Sequence, residues 1–111
     1  MKLFGLQYDI IWEDKAANFE KIENLISQHA DLPKGALLVL PEMYSSGFSM
    51  HPDRTRDSAK RESETFLSGL AERFGIWILG GLVPPSNSRQ AENQAVAFNP
   101  DGRVVARYQK I

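Results

Sequence analysis

A short apolar run that stops at a proline and is followed at once by a carboxylate does most to constrain how this chain folds. Residues 37–40 read Leu-Leu-Val-Leu, Pro41 follows them, and Glu42 comes next. The run has the length and composition of a buried strand, and Pro41 should end it because proline has no N–H to donate to a neighbouring strand. Glu42 is therefore predicted at the carboxyl end of a strand, which is the edge where open α/β sheets bind their ligands.

The residues before this run predict a strand and a helix that lead into it. Leu3–Ile11 is interpreted as the first strand. Glu13–Ala30 repeats apolar residues at intervals of three and four, which predicts a helix. The helix is long enough for a parallel crossover, so the first strand and the strand at Ala36–Leu40 are predicted to be parallel.

A second helix and a third strand are predicted after a polar loop, in which His51–Thr55 shows no periodic signal. Lys60–Phe74 carries an apolar stripe, and Gly75 is well placed to end that helix. Ile76–Val83 is apolar almost throughout, which is typical of a strand buried on both faces. Trp77 within it is predicted to lie in the core.

The end of the chain predicts an antiparallel hairpin. Two further strands, Asn93–Asn99 and Arg103–Gln109, flank the turn sequence Asn-Pro-Asp-Gly, in which proline presets one dihedral angle and glycine accepts a positive one. The element order is therefore β-α-β-α-β-β-β, with no internal repeat and no linker. This order predicts a single α/β unit over residues 1–111.

Composition and charge exclude several classes of function. The net charge is −1 with both signs interspersed, which argues against binding to nucleic acid or to an anionic membrane surface. No apolar run is long enough to span a bilayer, and the N-terminus turns polar too early for a signal peptide, so a cytoplasmic protein is expected. The chain has no cysteine, and its two histidines lack partners for a metal site. Gly80-Gly81 lacks the full phosphate-binding fingerprint, so close backbone packing is expected there.

Two charged residues are the candidates for chemistry. Glu42 and Lys110 each end a predicted strand, and both strands could point toward the same sheet edge. A carboxylate and an ammonium held together would serve acyl transfer, since the first moves protons and the second stabilises a tetrahedral oxyanion. The alternative is that each is a solvated surface charge. Nearby serines (Ser45, Ser46 and Ser49) are weaker candidates, because a hydroxyl needs stronger activation than a thiol.

Three segments together resemble the nitrilase (carbon–nitrogen hydrolase) superfamily. They are Leu-Pro-Glu-Met-Tyr-Ser-Ser-Gly-Phe-Ser-Met from residue 40, Asn-Pro-Asp-Gly-Arg-Val from residue 99, and the closing Tyr-Gln-Lys-Ile. The first segment is most similar to the omega-amidase branch, which hydrolyses 2-oxoacid ω-amides to the acid and ammonia. The resemblance runs from Met1 to Ile111 and implies the N-terminal part of an α-β-β-α sandwich, with a mixed sheet and its helices on one face.

The resemblance also implies roles for the candidate residues. Glu42 matches the general base of the family's Glu-Lys-Cys triad, and Lys110 matches the lysine that stabilises the tetrahedral intermediate. The family's cysteine nucleophile lies beyond the lysine, in the second half of a longer chain, and it is absent here. The chain is therefore expected to be a part of such an enzyme, apparently truncated after Ile111 and inactive by itself. No metal or cofactor is implied, and the substrate is expected to be a small carboxylate-bearing amide.

Two other interpretations remain open. The chain could be a non-catalytic remnant that binds another subunit, or a small α/β ligand-binding domain whose likeness to the hydrolases is coincidental. The last interpretation requires Glu42 and Lys110 to lie farther apart than about 4 to 6 Å, the range of strong charge coupling. If half of the sandwich is missing, one sheet face lacks cover. The uncovered face would favour association, poor solubility or marginal stability. Separately, the resemblance implies a homodimer formed through the helical layers.

Overall fold

The computed structural model describes residues 1–28, 32–87 and 92–110. Its elements, in chain order, are β1 (Leu3–Gly5), α1 (Lys15–Gln28), β2 (Leu37–Val39), α2 (Pro52–Thr55), α3 (Glu62–Phe74), β3 (Trp77–Leu82), β4 (Gln94–Phe98) and β5 (Val104–Gln109). Within these residues the strands form one five-stranded sheet in the order β1-β2-β3-β4-β5. The first three strands are parallel, and β4 is antiparallel to both β3 and β5. The predicted α/β fold with a mixed sheet is confirmed.

β1 is shorter than the predicted strand Leu3–Ile11 because its partner β2 ends at Val39, ahead of the proline. The Leu6 N–H still donates to the Val39 carbonyl at 2.9 Å. Farther along, the Ile11 N–H donates to Asn18 Oδ1, and the Ile11 carbonyl accepts from Asn18 Nδ2, both at 2.7 Å. A side chain from α1 thus replaces a neighbouring strand as the partner of this backbone.

α1 begins two residues later than predicted, since Glu13 adopts a left-handed conformation with φ of 56°. Asp14 Oδ1 accepts the Ala17 N–H at 3.0 Å and caps the first turn. The structure describes α1 as far as Gln28, and residues 29 and 30 of the predicted helix lie outside the described residues. The four-residue helix α2 was not predicted, because one turn is too short to produce a periodic pattern.

α3 ends at Phe74, as predicted. Gly75 follows with φ of 64°, a left-handed value that glycine adopts without steric cost, and its N–H donates to the Ala71 carbonyl. The hairpin of β4 and β5 is also confirmed, with Gly102 at φ of 80° in the turn. One irregularity interrupts its ladder at Ala97/Phe98, so that the strands shift register there.

One face of the sheet is covered by α1 and α3. The side chains between the helices and the sheet are fully or almost fully buried. They come from α1, β2, α3, β3 and β4: Ile22, Ile26, Leu38, Leu67, Leu70, Ile78, Val96 and Phe98. The opposite face has no described element packed on it. Its apolar side chains in β2 and β3 are half-buried, while Leu3 and Tyr108 are 68% and 64% exposed.

Trp77 lies on this open face and is half-buried, so its predicted place in the core is wrong. Neighbouring β3 residues alternate between the two faces, and only the face toward the helices is sealed. The apolar run was correctly interpreted as a strand, but its composition alone did not distinguish the covered side from the open one.

Candidate active site

The sheet topology brings the ends of four strands to a single edge. β2, β3 and β5 all finish there, and β4, which is antiparallel to its two neighbours, begins there. Glu42 lies just beyond β2, Lys110 directly follows β5, and Asn93 directly precedes β4. The prediction that Glu42 and Lys110 end strands at the same edge is confirmed.

Glu42 and Lys110 contact each other at this edge. Lys110 Nζ donates to Glu42 Oε1 at 3.1 Å. The lysine side chain is 64% exposed and the glutamate side chain 38% exposed, so the pair contributes at most about 1 kcal/mol to folding. A small ligand-binding domain with a coincidental likeness to the hydrolases would require these two side chains to lie farther apart. That interpretation is wrong on this point.

Asn93 completes the cluster, although the sequence predicts it only as the start of a strand. Its Nδ2 donates to the same oxygen of Glu42, and its carbonyl accepts the Lys110 backbone N–H at 2.8 Å. Asn93 and Lys110 therefore face each other one position beyond the Gln94–Gln109 pair of the ladder. A polar residue opposite the candidate lysine is the signal that could have identified Asn93 from the sequence.

A tight turn presents Glu42 at the end of β2. Met43, the next residue, has φ of 50°, a conformation that is uncommon for a residue other than glycine, asparagine or aspartate. Gly81 allows the turn to approach the sheet, because a Cβ atom there would lie 2.8 Å from Glu42 Cα. The Tyr44 N–H also donates to the Gly81 carbonyl at 3.1 Å. The expectation of close backbone packing at the glycine pair is confirmed at Gly81.

Buried polar contacts fix the loop that follows the turn. Tyr44 donates its hydroxyl to the Ser63 carbonyl at 2.5 Å, and the Ser45 and Ser63 hydroxyls lie 2.8 Å apart. Asn18 Nδ2 donates to the Ser45 carbonyl at 2.7 Å. Burial, followed by the negative charge of Asp57, raises the pKa of Tyr44 well above its ordinary value, so its hydroxyl stays protonated as a donor.

A buried ion pair between Lys15 and Asp57 links α1 to α3 behind this loop. Lys15 Nζ donates to Asp57 Oδ1 at 2.9 Å and to the Arg56 carbonyl at 2.8 Å. Asp57 Oδ2 accepts the N–H groups of Ser63 and Glu64 in the first turn of α3, at 3.0 and 3.4 Å. Only 1% of the Asp57 side chain is exposed, which makes this pair a structural link between α1 and α3.

The loop serines do not form a nucleophile with Glu42. Ser45 and Ser46 are buried, and the Ser46 hydroxyl donates to the Gly47 carbonyl. Ser49 Oγ accepts the His51 N–H at 3.1 Å. Among the described residues, no hydroxyl is hydrogen-bonded to Glu42. The arrangement therefore supplies a carboxylate and an ammonium, but it does not supply an activated serine.

The cluster opens into a concavity of about 410 Å³ on the open face of the sheet. Glu42, Lys110 and Asn93 lie on its rim, and Leu79 and Tyr108 contribute apolar surface. A volume of this size accommodates a small molecule. A base and a cation beside an apolar wall can transfer a proton and stabilise a negatively charged oxygen of a bound carbonyl compound.

The part of the chain that the structure describes holds neither a cluster of metal-ligating side chains nor a membrane-spanning helix. It contains no group of three or more His, Cys, Asp or Glu side chains that could hold a metal ion. None of its helices combines the length and the apolar character needed to cross a bilayer.

Comparisons with known proteins agree with this geometry. A family model described as carbon-nitrogen hydrolase matches residues 5–111. The chain is 34% identical over 100 residues to the omega-amidase NIT2-B of Xenopus laevis, which covers 87% of this chain and 35% of that protein. It is 28% identical over 109 residues to the 2-oxoglutaramate amidase of Bacillus subtilis, which covers 95% of this chain and 40% of the relative. The chain thus spans two-fifths or less of the length of these two relatives.

Solved structures share the fold. The CN-hydrolase superfamily protein XC1258 from Xanthomonas campestris superposes with a TM-score of 0.79 at 26% identity, over 95% of this chain and 38% of that one. An N-terminal amidase superposes with a TM-score of 0.80 at 17% identity, over 96% of this chain and 27% of that one. The matches confirm the resemblance indicated by the sequence motifs and the fold that it implied.

Proposed function

This chain belongs to the carbon–nitrogen hydrolase family, and from that premise we propose that Glu42 is the general base and Lys110 the intermediate-stabilising cation of an amidase reaction. The 3.1 Å contact between Lys110 Nζ and Glu42 Oε1 at the strand-end edge carries the proposal. A carboxylate there can accept a proton from a nucleophile, and the ammonium can stabilise the oxyanion that forms on the amide carbonyl.

The nucleophile of the proposed reaction is a cysteine from outside these 111 residues, which contain none. Its thiol gives a proton to Glu42 as sulfur bonds to the amide carbon. The proton then passes to the departing nitrogen, and ammonia leaves a thioester behind. Water then gives a proton to Glu42 as its oxygen bonds to the thioester carbon. The C–S bond breaks and Glu42 returns that proton to sulfur, which releases the carboxylic acid and the thiol. The chain alone is therefore proposed to be inactive.

The proposed substrate is a small 2-oxoacid ω-amide. Support comes from the similarity to proteins named omega-amidase and 2-oxoglutaramate amidase, and from a concavity of about 410 Å³ beside the ion pair. The proposed reaction needs water but no cofactor, and a cytoplasmic location is proposed for it.

The test supplies the missing nucleophile. The chain is co-expressed with the part of the Bacillus subtilis relative that follows the matched segment, and ammonia release from 2-oxoglutaramate is measured. The pair should release ammonia, and the chain alone should not. Glu42→Gln should lower the rate by about 10² to 10⁴-fold, the usual contribution of general acid–base catalysis, and Lys110→Met should lower it as well.

Matched surface variants control for indirect effects. Glu72→Gln and Lys60→Met replace exposed residues away from the site and should keep the full rate. The proposal would be contradicted if the Glu42→Gln chain, co-expressed with the part of the Bacillus subtilis relative, kept full activity. Glu42-dependent turnover by the chain alone would also contradict it.

A second candidate function is a non-catalytic subunit that binds another chain. It is favoured by the open apolar face and by the lack of a cysteine. We propose that this face is an association surface, for a second copy or for a complementary segment. Leu3→Lys and Tyr108→Lys should then shift sedimentation toward monomer, whereas Met50→Lys, 95% exposed and outside the sheet, should not. A monomeric wild-type chain with a cooperative melt at an ordinary mesophile temperature would remove this proposal.

A further inference from the structure

Asn93 has no part in the proposed reaction, yet its contacts join both charged residues of the site. Its side-chain amide donates to Glu42 Oε1, and its backbone carbonyl accepts the Lys110 N–H at 2.8 Å. Asn93, just before β4, therefore contacts the proposed base through its side chain. Through its backbone it contacts the segment that carries the proposed cation.

The two carboxylate oxygens of Glu42 are not equivalent in this arrangement. Oε1 accepts two hydrogen bonds, one from Asn93 Nδ2 and one from Lys110 Nζ. Within the described part of the chain, no group donates to Oε2. Two donors engage the lone pairs of Oε1, whereas Oε2 keeps its own available to a proton.

Lys110 alone would constrain the carboxylate poorly. Its side chain is 64% exposed, and an ammonium on a four-carbon stem acts as a mobile point charge. The last torsion of a glutamate side chain is broad and nearly two-fold, so a single donor allows the two oxygens to exchange places. Asn93 adds a second donor from the half-buried start of a strand, without adding a charge.

We propose that Asn93 is a positioning residue that, together with Lys110, holds Oε1 of Glu42 and leaves Oε2 to accept the proton. The inference rests on the proposed role of Glu42 as general base. The proton passes from the thiol of the nucleophile to Oε2, which produces a neutral carboxylic acid. Oε1 then has carbonyl character and still accepts from Asn93 Nδ2, so the acid is already oriented to return its proton to the departing nitrogen.

Nuclear magnetic resonance tests this role on the full chain without any turnover. The Nδ2 protons of Asn93 are followed during acid titration of ¹⁵N-labelled protein. They should shift in a step as Glu42 gains a proton, and Glu42→Gln should abolish that step. Asn18 is the internal reference, because its Nδ2 donates to the Ile11 and Ser45 backbone carbonyls, both at 2.7 Å, and these do not titrate. No step in the wild type, or a step that survives Glu42→Gln, would overturn the proposal.

A second readout does not depend on the Glu42 variant. Asn93→Ala should shift the ¹³Cδ resonance of Glu42 at neutral pH, whereas Asn87→Ala, in the exposed loop after β3, should leave it unchanged. An unchanged resonance in a folded Asn93→Ala protein would overturn the proposal. Both failures remove only the positioning role, since the role of Glu42 itself is decided by the ammonia assay. In that assay Asn93→Ala should lower kcat more than it changes KM, because Asn93 contacts the base.

Discussion

The two faces of the sheet carry similar apolar side chains but differ in what covers them. In β3, Ile78 is fully buried in the cluster formed with α1 and α3, whereas Trp77 and Leu79 on the opposite face are half-buried. The composition of a strand thus indicates which side chains would be stabilised by burial. The packing of other elements against the sheet decides which of them are buried.

The polar groups divide in the same way. The Asp57 carboxylate is buried in the helical layer and joins two helices, while Glu42 and Lys110 lie partly exposed at the rim of the open face. A buried charge loses its hydration and depends on its partners, whereas an exposed pair is hydrated and contributes little to folding. We therefore expect stability to depend mainly on the covered side and the proposed chemistry on the open side.

The largest effect is expected where the covered side holds a buried charge. Asp57→Ala removes the nearer of the two carboxylates that pair with Lys15, at 2.9 Å, and it removes the acceptor of the first-turn N–H groups of α3. Breaking a buried pair in this way typically costs about 3–5 kcal/mol. Urea denaturation measures the loss, and Asp53→Ala, an exposed carboxylate on α2, is the matched control. If the two variants lost equal free energy of unfolding, the buried charge would not matter more than the exposed one, which would contradict this expectation.

A direct comparison of the faces uses adjacent residues of β3. Ile78→Ala should lower the free energy of unfolding by about 2–5 kcal/mol, because it opens a cavity in the core. Leu79→Ala, on the half-buried face, should lower it by about 1 kcal/mol. Measurements at low protein concentration keep association from contributing. If Leu79→Ala costs as much as Ile78→Ala, the open face is covered in solution and the comparison fails.

A smaller effect is expected at Gly81, where the Glu42 turn closes over the end of β3. A Cβ atom there would lie 2.8 Å from Glu42 Cα, so Gly81→Ala should cost about 1–3 kcal/mol through overpacking. It should also displace Glu42, which the Asn93 side-chain resonances would report. Gly69→Ala is the control with the opposite sign. That position lies in α3, and a Cβ atom added there would have no other atom within 4 Å. Alanine should therefore raise the free energy of unfolding by about 0.5–1 kcal/mol. An Asn93 signal unmoved in Gly81→Ala would contradict the packing argument.

Much of the fold could be predicted because periodicity and stop signals are local. The apolar run before Pro41, the stripe of α3 and its stop at Gly75 all identified real elements. The predicted length of β1 was wrong because it depends on where β2 ends and on the Asn18 side chain. Both are tertiary contacts, which no local sequence pattern encodes. Trp77 was misplaced for the same kind of reason, since no local pattern says which face of a sheet is covered.

The candidate site was predictable in part. Glu42 and Lys110 could be found because each ends a strand and because the parallel and antiparallel order follows from the turn and crossover signals. Asn93 could be recognised as a polar residue near the start of the predicted strand, but its place opposite Lys110 could not be fixed, because the register shift at Ala97/Phe98 decides which residue faces Lys110. A register shift of one residue changes every cross-strand partner beyond it, and no simple turn sequence encodes this one.

The smallest effect is expected from Glu62, which shares Lys15 with Asp57 but lies at the rim of the helical layer. Burial by itself would raise the pKa of Glu62, but hydrogen bonds from Ser58 and the charge of Lys15 outweigh it and lower the pKa from 4.5 to about 2. The folded state therefore favours the charged form, and the resulting stability is fully present above pH 4.5 and is lost as the pH falls toward 2. Since 36% of the Glu62 side chain is exposed, solvent screening keeps this contribution small.

The stability difference between wild type and Glu62→Gln should accordingly be constant near neutral pH, shrink between pH 4.5 and 2, and vanish below that range. Urea denaturation at a series of pH values measures it, with Glu72→Gln as the exposed control. The same series on Asp57→Ala should show a much larger difference at neutral pH, because Asp57 is buried and Glu62 is not. Equal differences for the two carboxylates at pH 7 would mean that burial does not separate them, and a Glu62 difference independent of pH would mean that its charge is not what stabilises the start of α3.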